Sequence, residues 1–182
     1  VSRSRLPMQA LLRMALQESR AGRSERALVG SVEVVSGRTD VHVKRVDPPD
    51  DAQIAEGSWW FDFGQACEAT KLPAEAIGAL CDVRFLSGLD ELAACLPPKG
   101  GELRLITGAW ISDDDRHQIS ALTGLTPEPE EAGSGWHDSV CGAPISAFLQ
   151  AGGQTDEYFC HLDRDPDGAY ALAIFWRPAD RT

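Results

Sequence analysis

No run of eighteen apolar residues occurs in the chain, so the sequence supplies no membrane-spanning helix. No C-x-x-C pair is present either, although Cys67, Cys81, Cys95, Cys141 and Cys160 make five cysteines. An odd, scattered set without paired spacings excludes a zinc ribbon or finger and reads as reduced thiols packed like small apolar side chains. The first residues lack the basic, apolar, small order of a secretory signal, and a cytoplasmic location is the expectation. A phosphate cradle is missing too, because Pro98-Lys99-Gly100-Gly101 precedes a strand instead of joining a strand to a helix. The run from Asp163 through Arg164, Asp165, Pro166, Asp167 and Gly168 alternates acids as a calcium loop does. Its proline and the missing terminal glutamate exclude an EF-hand and leave a Pro-Asp-Gly turn. No cofactor and no metal are expected.

What is present is enough for one core: 182 residues, 43% of them hydrophobic. The net charge is −11 and is unevenly spread. Residues 1–46 hold nine Lys or Arg against four acids, a surplus of five, so the remaining 136 residues carry −16. A body of that sign repels phosphate backbones and favours a basic partner.

The most legible stretch is 82–126. Val83 to Leu86 reads as a strand, residues 89–96 as a helix with Leu89, Leu92, Ala93 and Leu96 on one face, and Leu103 to Ile106 as a second strand. Two prolines and two glycines at 97–101 end the first helix. Ser112 followed by Asp113, Asp114 and Asp115 starts the next. This is a βαβ-type unit, whose strands lie parallel if they are neighbours.

Around it, apolar spacing predicts a helix over 6–19 carrying Met8, Leu11, Leu12, Ala15 and Leu16 on one face, with Gln9, Arg13, Gln17 and Arg20 opposite. Residues 28–46 read as a basic hairpin turning at 36–40, and Asp47-Pro48-Pro49-Asp50-Asp51 as a linker and subdomain boundary. Strand alternation puts Trp59, Phe61 and Phe63 on one face and Trp60 with Asp62 on the other, leaving Trp60 outside the core. Short helices are expected at 65–70, 73–80 and 143–149, and an exposed mobile loop at 125–135. A last hairpin pairs 157–162 with 169–176. The fold class is therefore α+β (or α/β), one domain over 1–182, with a mixed sheet built on the βαβ-type unit and flanked by an N-terminal helix plus hairpin and a C-terminal hairpin.

These features favour a protein-binding module over an enzyme: an acidic domain that occludes or regulates a basic partner, as an immunity protein or inhibitor does. Its expected contact residues are Trp60, Asp113, Asp114, Asp115, Glu128, Glu130 and Glu131, since exposed aromatics anchor interfaces and carboxylates set the partner's charge. The alternative is a small hydrolase or transferase using His137, Asp138, Ser139 and Cys141, the residue types of nucleophilic catalysis gathered in a glycine-flanked loop. Asp138 or Ser139 capping the following helix accounts for the same residues. A third reading lets the basic segment touch nucleic acid through Arg3, Arg5, Arg13, Arg20, Lys44 and Arg45, although it has no recognition-helix pair and no glycine-aromatic signature. Asp113 to Asp115 with His117 have the composition of a cation site, but acids in a first helical turn are favoured by the helix dipole alone.

Overall fold

The computed structural model describes residues 7–35, 55–68, 71–98, 102–108, 110–130, 142–151, 155–165 and 167–179. Helix α1 (Pro7–Arg20) opens the chain with proline in its first turn, where no amide donor is needed. Met8, Leu12 and Ala15 are buried as the spacing predicts, but Gln9 departs from the polar face expected of it and is only 1% exposed. Strands β1 (Arg26–Val35) and β2 (Ala55–Gly64) form a separate antiparallel two-stranded sheet.

That pairing corrects the expected hairpin. β1 is matched along its whole length by β2, from Arg26 opposite Gly64 to Val35 opposite Ala55. The partner thus comes from beyond the proline linker, which, with the anticipated turn and return strand, lies outside the described residues. The choice follows from alternation: Ala27 and Val29 face the same way as Phe63 and Phe61, so this register gives one continuous apolar face.

The main sheet has the order β3-β7-β6-β4-β5, made from β3 (Ala79–Leu86), β4 (Glu102–Thr107), β5 (Glu128–Pro129), β6 (Glu157–Arg164) and β7 (Tyr170–Arg177). β3 is antiparallel to β7 and β7 to β6, while β6 and β5 flank β4 in parallel. β3 and β4 therefore run in one direction, as the βαβ reading requires, but they are not neighbours. The C-terminal hairpin lies between them, making a split βαβ unit.

The crossover from β3 to β4 is a 3-10 turn (Leu89–Glu91) running into α2 (Leu92–Cys95), with Leu89 and Leu92 buried. Helix α3 (Asp113–Thr123) has a full capping box: the Asp115 amide donates to Ser112 Oγ, and the Ser112 amide donates back to the Asp115 carboxylate at 3.1 Å. It ends at Gly124, whose φ of 72° is the left-handed value that favours glycine. Helix α4 (Gly142–Gln150) covers the expected 143–149. The helices expected at 65–70 and 73–80 are not formed by their described residues. Ala79 and Leu80 instead pair with Trp176 and Phe175, a long-range gain that outweighs local propensity. Part of the expected loop at 125–135 is β5, added to the edge of β4.

Both faces of the main sheet are covered. On one, α1, α4 and the β1–β2 sheet enclose Met8, Leu12, Val29, Ile106, Ile145, Phe148, Phe159 and Phe175. On the other, α2 and α3 enclose Leu89, Leu92, Leu105, Ile119, Cys160, Leu162 and Leu172. This explains why β7 is an unbroken apolar run instead of an alternating one. Buried Arg177 fastens α4 to the sheet, donating to the Phe148 carbonyl at 2.7 Å and to Glu157 at 2.6 Å. No helix among the described residues is long and apolar enough to cross a membrane.

Candidate functional site

Two features stand out, on different parts of the fold. The first is the outer face of the β1–β2 sheet. Phe61 and Phe63 point inward onto the core, with Phe61 6.3 Å from Phe175 between ring centroids. Parity then turns Trp60 outward, where it is 57% exposed, and Leu28 on the same face is 66% exposed. Trp60 is opposite Gly30, which has no side chain to cover the ring, and Leu28 is opposite Asp62, so the two apolar groups are diagonal neighbours across the strands. Arg26 grips the Asp62 carboxylate with two nitrogens beside them. That pairing holds Asp62 below the usual carboxylate range. The result is an apolar pair bordered by an ion pair, on a sheet whose inner face is anchored.

The second feature is a buried polar cluster at the carboxyl ends of β4, β5 and β6. After β4 the chain crosses one face of the sheet as α3, and after β5 the next helix, α4, lies on the opposite face. His161 on β6 is fully buried, and its Nδ1 is 3.5 Å from the Gln9 amide nitrogen of α1. Its Nε2 is 3.8 Å from Glu130, whose side chain is 8% exposed. The Glu130 amide donates to the Thr107 carbonyl at 2.8 Å, which brings this carboxylate back over the sheet. Asp163, two residues along β6, is raised above the usual carboxylate range, chiefly by burial, which outweighs the nearby imidazole and a hydrogen bond from Gln9. Gly108 supplies the space: a Cβ there would stand 2.6 Å from Asp163 Cγ. Neither His161 Nε2 nor Glu130 Oε1 has a hydrogen-bond partner among the described residues.

The expected contact residues do not form one surface. Asp113, Asp114 and Asp115 belong to the helix layer on the side of the main sheet opposite the β1–β2 sheet that carries Trp60. Asp113 pairs with Arg116, and Asp114 is exposed. Asp115 is engaged inside the fold, accepting from Arg164 at 2.9 Å and from the Tyr170 hydroxyl at 3.1 Å. Burial works to raise this carboxyl, yet the bonds from Ser112 and Tyr170 and the Arg164 charge hold it below the usual range. Glu128 pairs with Arg104 at 2.6 Å, and Glu130 is the buried carboxylate of the cluster. Glu131, His137, Asp138, Ser139 and Cys141 lie outside the described residues, as do Arg3, Arg5, Lys44 and Arg45. Of the remaining basic side chains, Arg13 stacks over Phe85 at 5.1 Å, and Arg20 donates to the Cys81 carbonyl at 2.6 Å. Burial pushes the Cys81 thiol up to about 11, which suits an inert thiol. No three His, Cys, Asp or Glu side chains among the described residues are grouped to hold a metal ion.

Sequence reasoning missed Leu28 as a surface group and the whole Gln9, Glu130, His161 and Asp163 cluster. A signal existed for one member: His161 interrupts the apolar run Phe159, Cys160, Leu162. The others come from distant segments.

No family model and no curated protein matches the chain. Its fold is similar to a solved structure, the ishigamide ketosynthase/chain length factor, with a TM-score of 0.56 and 18% identity. The likeness covers 97% of this chain and 55% of that one, so the chain spans about half its length. At that identity the likeness concerns the fold alone.

Proposed function

We propose that the chain is a cytoplasmic protein-binding module that occludes or regulates a basic partner, docking it on the outer face of the β1–β2 sheet. The observation that carries this reading is the adjacency of Leu28 and Trp60, both more than half exposed on a sheet whose other face is packed. Single exposed apolar residues are ordinary, but an aromatic beside an aliphatic, bordered by an ion pair, has the make-up of an interface centre and rim. The net charge of −11 sets the sign of the partner, since opposite fields accelerate encounter. The carboxylates of α3 act at a distance in this reading, because they do not share the docking face. Free thiols at Cys67, Cys81, Cys95 and Cys160 accord with a reducing compartment.

The test is capture of proteins from extract of the source cells by the tagged chain, beside Trp60→Ser and Leu28→Ser. The expected result is a basic protein held by the parent chain, released by about 0.5 M salt as exposed charges are screened, and lost by both variants while their melting is unchanged. Equal capture by parent and variants would remove the hairpin face from the reading.

A further inference from the structure

A cleft of about 270 Å³ lies at the amino ends of β4 and β6, the opposite end of these strands from the polar cluster. Four consecutive residues of β4, 102–105, line it, with Leu125 and Glu128 from the chain that enters β5, and Glu157 and Tyr158 from β6. Alternate side chains of a strand point to opposite faces, so four in a row can border one space only at the strand's edge. β5 pairs with β4 only from Ile106 onward, and the cleft is the place beside β4 that β5 leaves open. The backbone facing it has a defined pattern. The Gly108 amide donates to Leu162 of β6 at 2.8 Å, whereas the Thr107 carbonyl accepts from Glu130 at 2.8 Å on the β5 side. Peptide groups alternate in direction along a strand, so those of Leu103 and Leu105 point with Thr107, into the cleft.

The two sides of the cleft differ in chemistry. Leu103 and Leu105 pack with Leu125 and Tyr158 in the core under α2 and α3. Glu102 and Arg104 take the other face by alternation, and the lining carries the carboxylates of Glu102, Glu128 and Glu157. Arg104 is bound to Glu128 and Arg177 to Glu157, which leaves Glu102 as the surplus negative charge among these groups. We propose that this cleft takes an extended basic peptide as an added strand, in which apolar side chains alternate with lysine or arginine. The outward peptide groups of Leu103 and Leu105 pair with the incoming backbone. Residues 102–105 extend over roughly 13 Å at about 3.3 Å per residue, so the paired stretch is about four residues long. Every second side chain of the peptide enters the apolar side, over Leu103, Leu105, Leu125 and Tyr158, and those between stand beside Glu102. The cleft shares no residue with the Leu28 and Trp60 face, so peptide binding here does not depend on a partner docking there.

The probe is a blocked hexapeptide of alternating lysine and valine, titrated into the full chain up to low millimolar concentration while the backbone amides are followed by NMR. The expected result is saturable shifts centred on Leu103 and Leu105, with slower hydrogen exchange of the Leu103 amide, since an added strand protects the donor it engages. A hexapeptide of alternating glutamate and valine should not bind, and hexalysine should bind at least about tenfold more weakly because it has nothing to place on the apolar side. Glu102→Lys should weaken the lysine and valine peptide by about fivefold through reversal of the surplus charge. Leu103→Pro removes the outward amide hydrogen without touching the ladder to β6, and should weaken binding by about tenfold. Absence of saturable shifts at Leu103 and Leu105, equal binding of hexalysine, or unchanged affinity in Glu102→Lys overturns the proposal. Glu102→Lys, at an exposed position, decides the matter if Leu103→Pro does not fold.

Discussion

Replacing Phe175 and Phe61 by alanine, singly and together, measures how firmly the two-stranded sheet is fixed to the rest of the protein. Phe175 is 1% exposed in the middle of β7, and truncating such a ring costs about 3–5 kcal/mol from lost transfer and the cavity left behind. Phe61 reaches the same core from the other sheet but is only half-buried, so its truncation should cost about half as much. The rings meet at 6.3 Å with planes inclined at 43°, within the range in which aromatic pairs add about 0.5–1.5 kcal/mol beyond burial. The double variant should therefore lose less than the sum of the single losses by that amount. Urea unfolding of all four proteins in one buffer gives the cycle, and a total stability of about 5–15 kcal/mol leaves the single variants folded. Losses that add to within about 0.3–0.5 kcal/mol would mean that the rings do not interact. The outward orientation of Trp60 would then lack its anchor.

Other perturbations follow from the two carboxylates with opposite shifts. Asp115 is held below the usual range, so its contribution is present above the unfolded carboxylate pKa of about 3.9 and lost as pH falls through the folded value; Asp115→Asn should lower stability at pH 7, with the deficit closing in acid. Asp163 is raised, so the folded state binds its proton more tightly and loses that advantage as pH rises from about 3.9 through the folded value; Asp163→Asn should raise stability at pH 7, with the gain vanishing in acid. Parallel pH profiles for the two variants in urea melts would contradict both assignments. Gly108→Ala should cost about 1–3 kcal/mol, because its methyl group displaces the Asp163 carboxyl, and Asp163→Ala in the same chain should recover part of the loss. Ser112→Ala should cost about 0.5–2 kcal/mol through the loss of its cap, read as a lower melting temperature.

The elements that could be read from the chain are those fixed by neighbours in sequence. Helix α3 is bounded by Ser112 and Gly124, and the β6–β7 hairpin by a turn in which the Asp165 amide donates to the Ala169 carbonyl. The exposure of Trp60 follows from strand alternation alone. What could not be read depends on choices between distant segments. β1 has a nearer apolar segment in sequence, and only the match of Ala27 and Val29 to Phe63 and Phe61 on one face selects β2. The expected helix at 73–80 gives way because Gly78 brings the backbone against Trp176 and Leu149 and Leu80 pairs with Phe175. The polar cluster is least legible of all, since Gln9 and His161 are 152 residues apart and each has ordinary neighbours.

The position of the last hairpin has a consequence for synthesis. β3 and β4 are made early, yet the strands that join them, β7 and β6, are near the far end of the described chain. While the ribosome is still reading residues before 157, the emerging polypeptide has strands with no one to pair with, and their open edges are templates for other chains. Closure of the sheet waits until Arg177 is free of the exit tunnel and then proceeds at the slow pace of long-range strand pairing. A chain cut short before residue 157 would carry the apolar strands β3 and β4 and none of the hairpin that pairs with them.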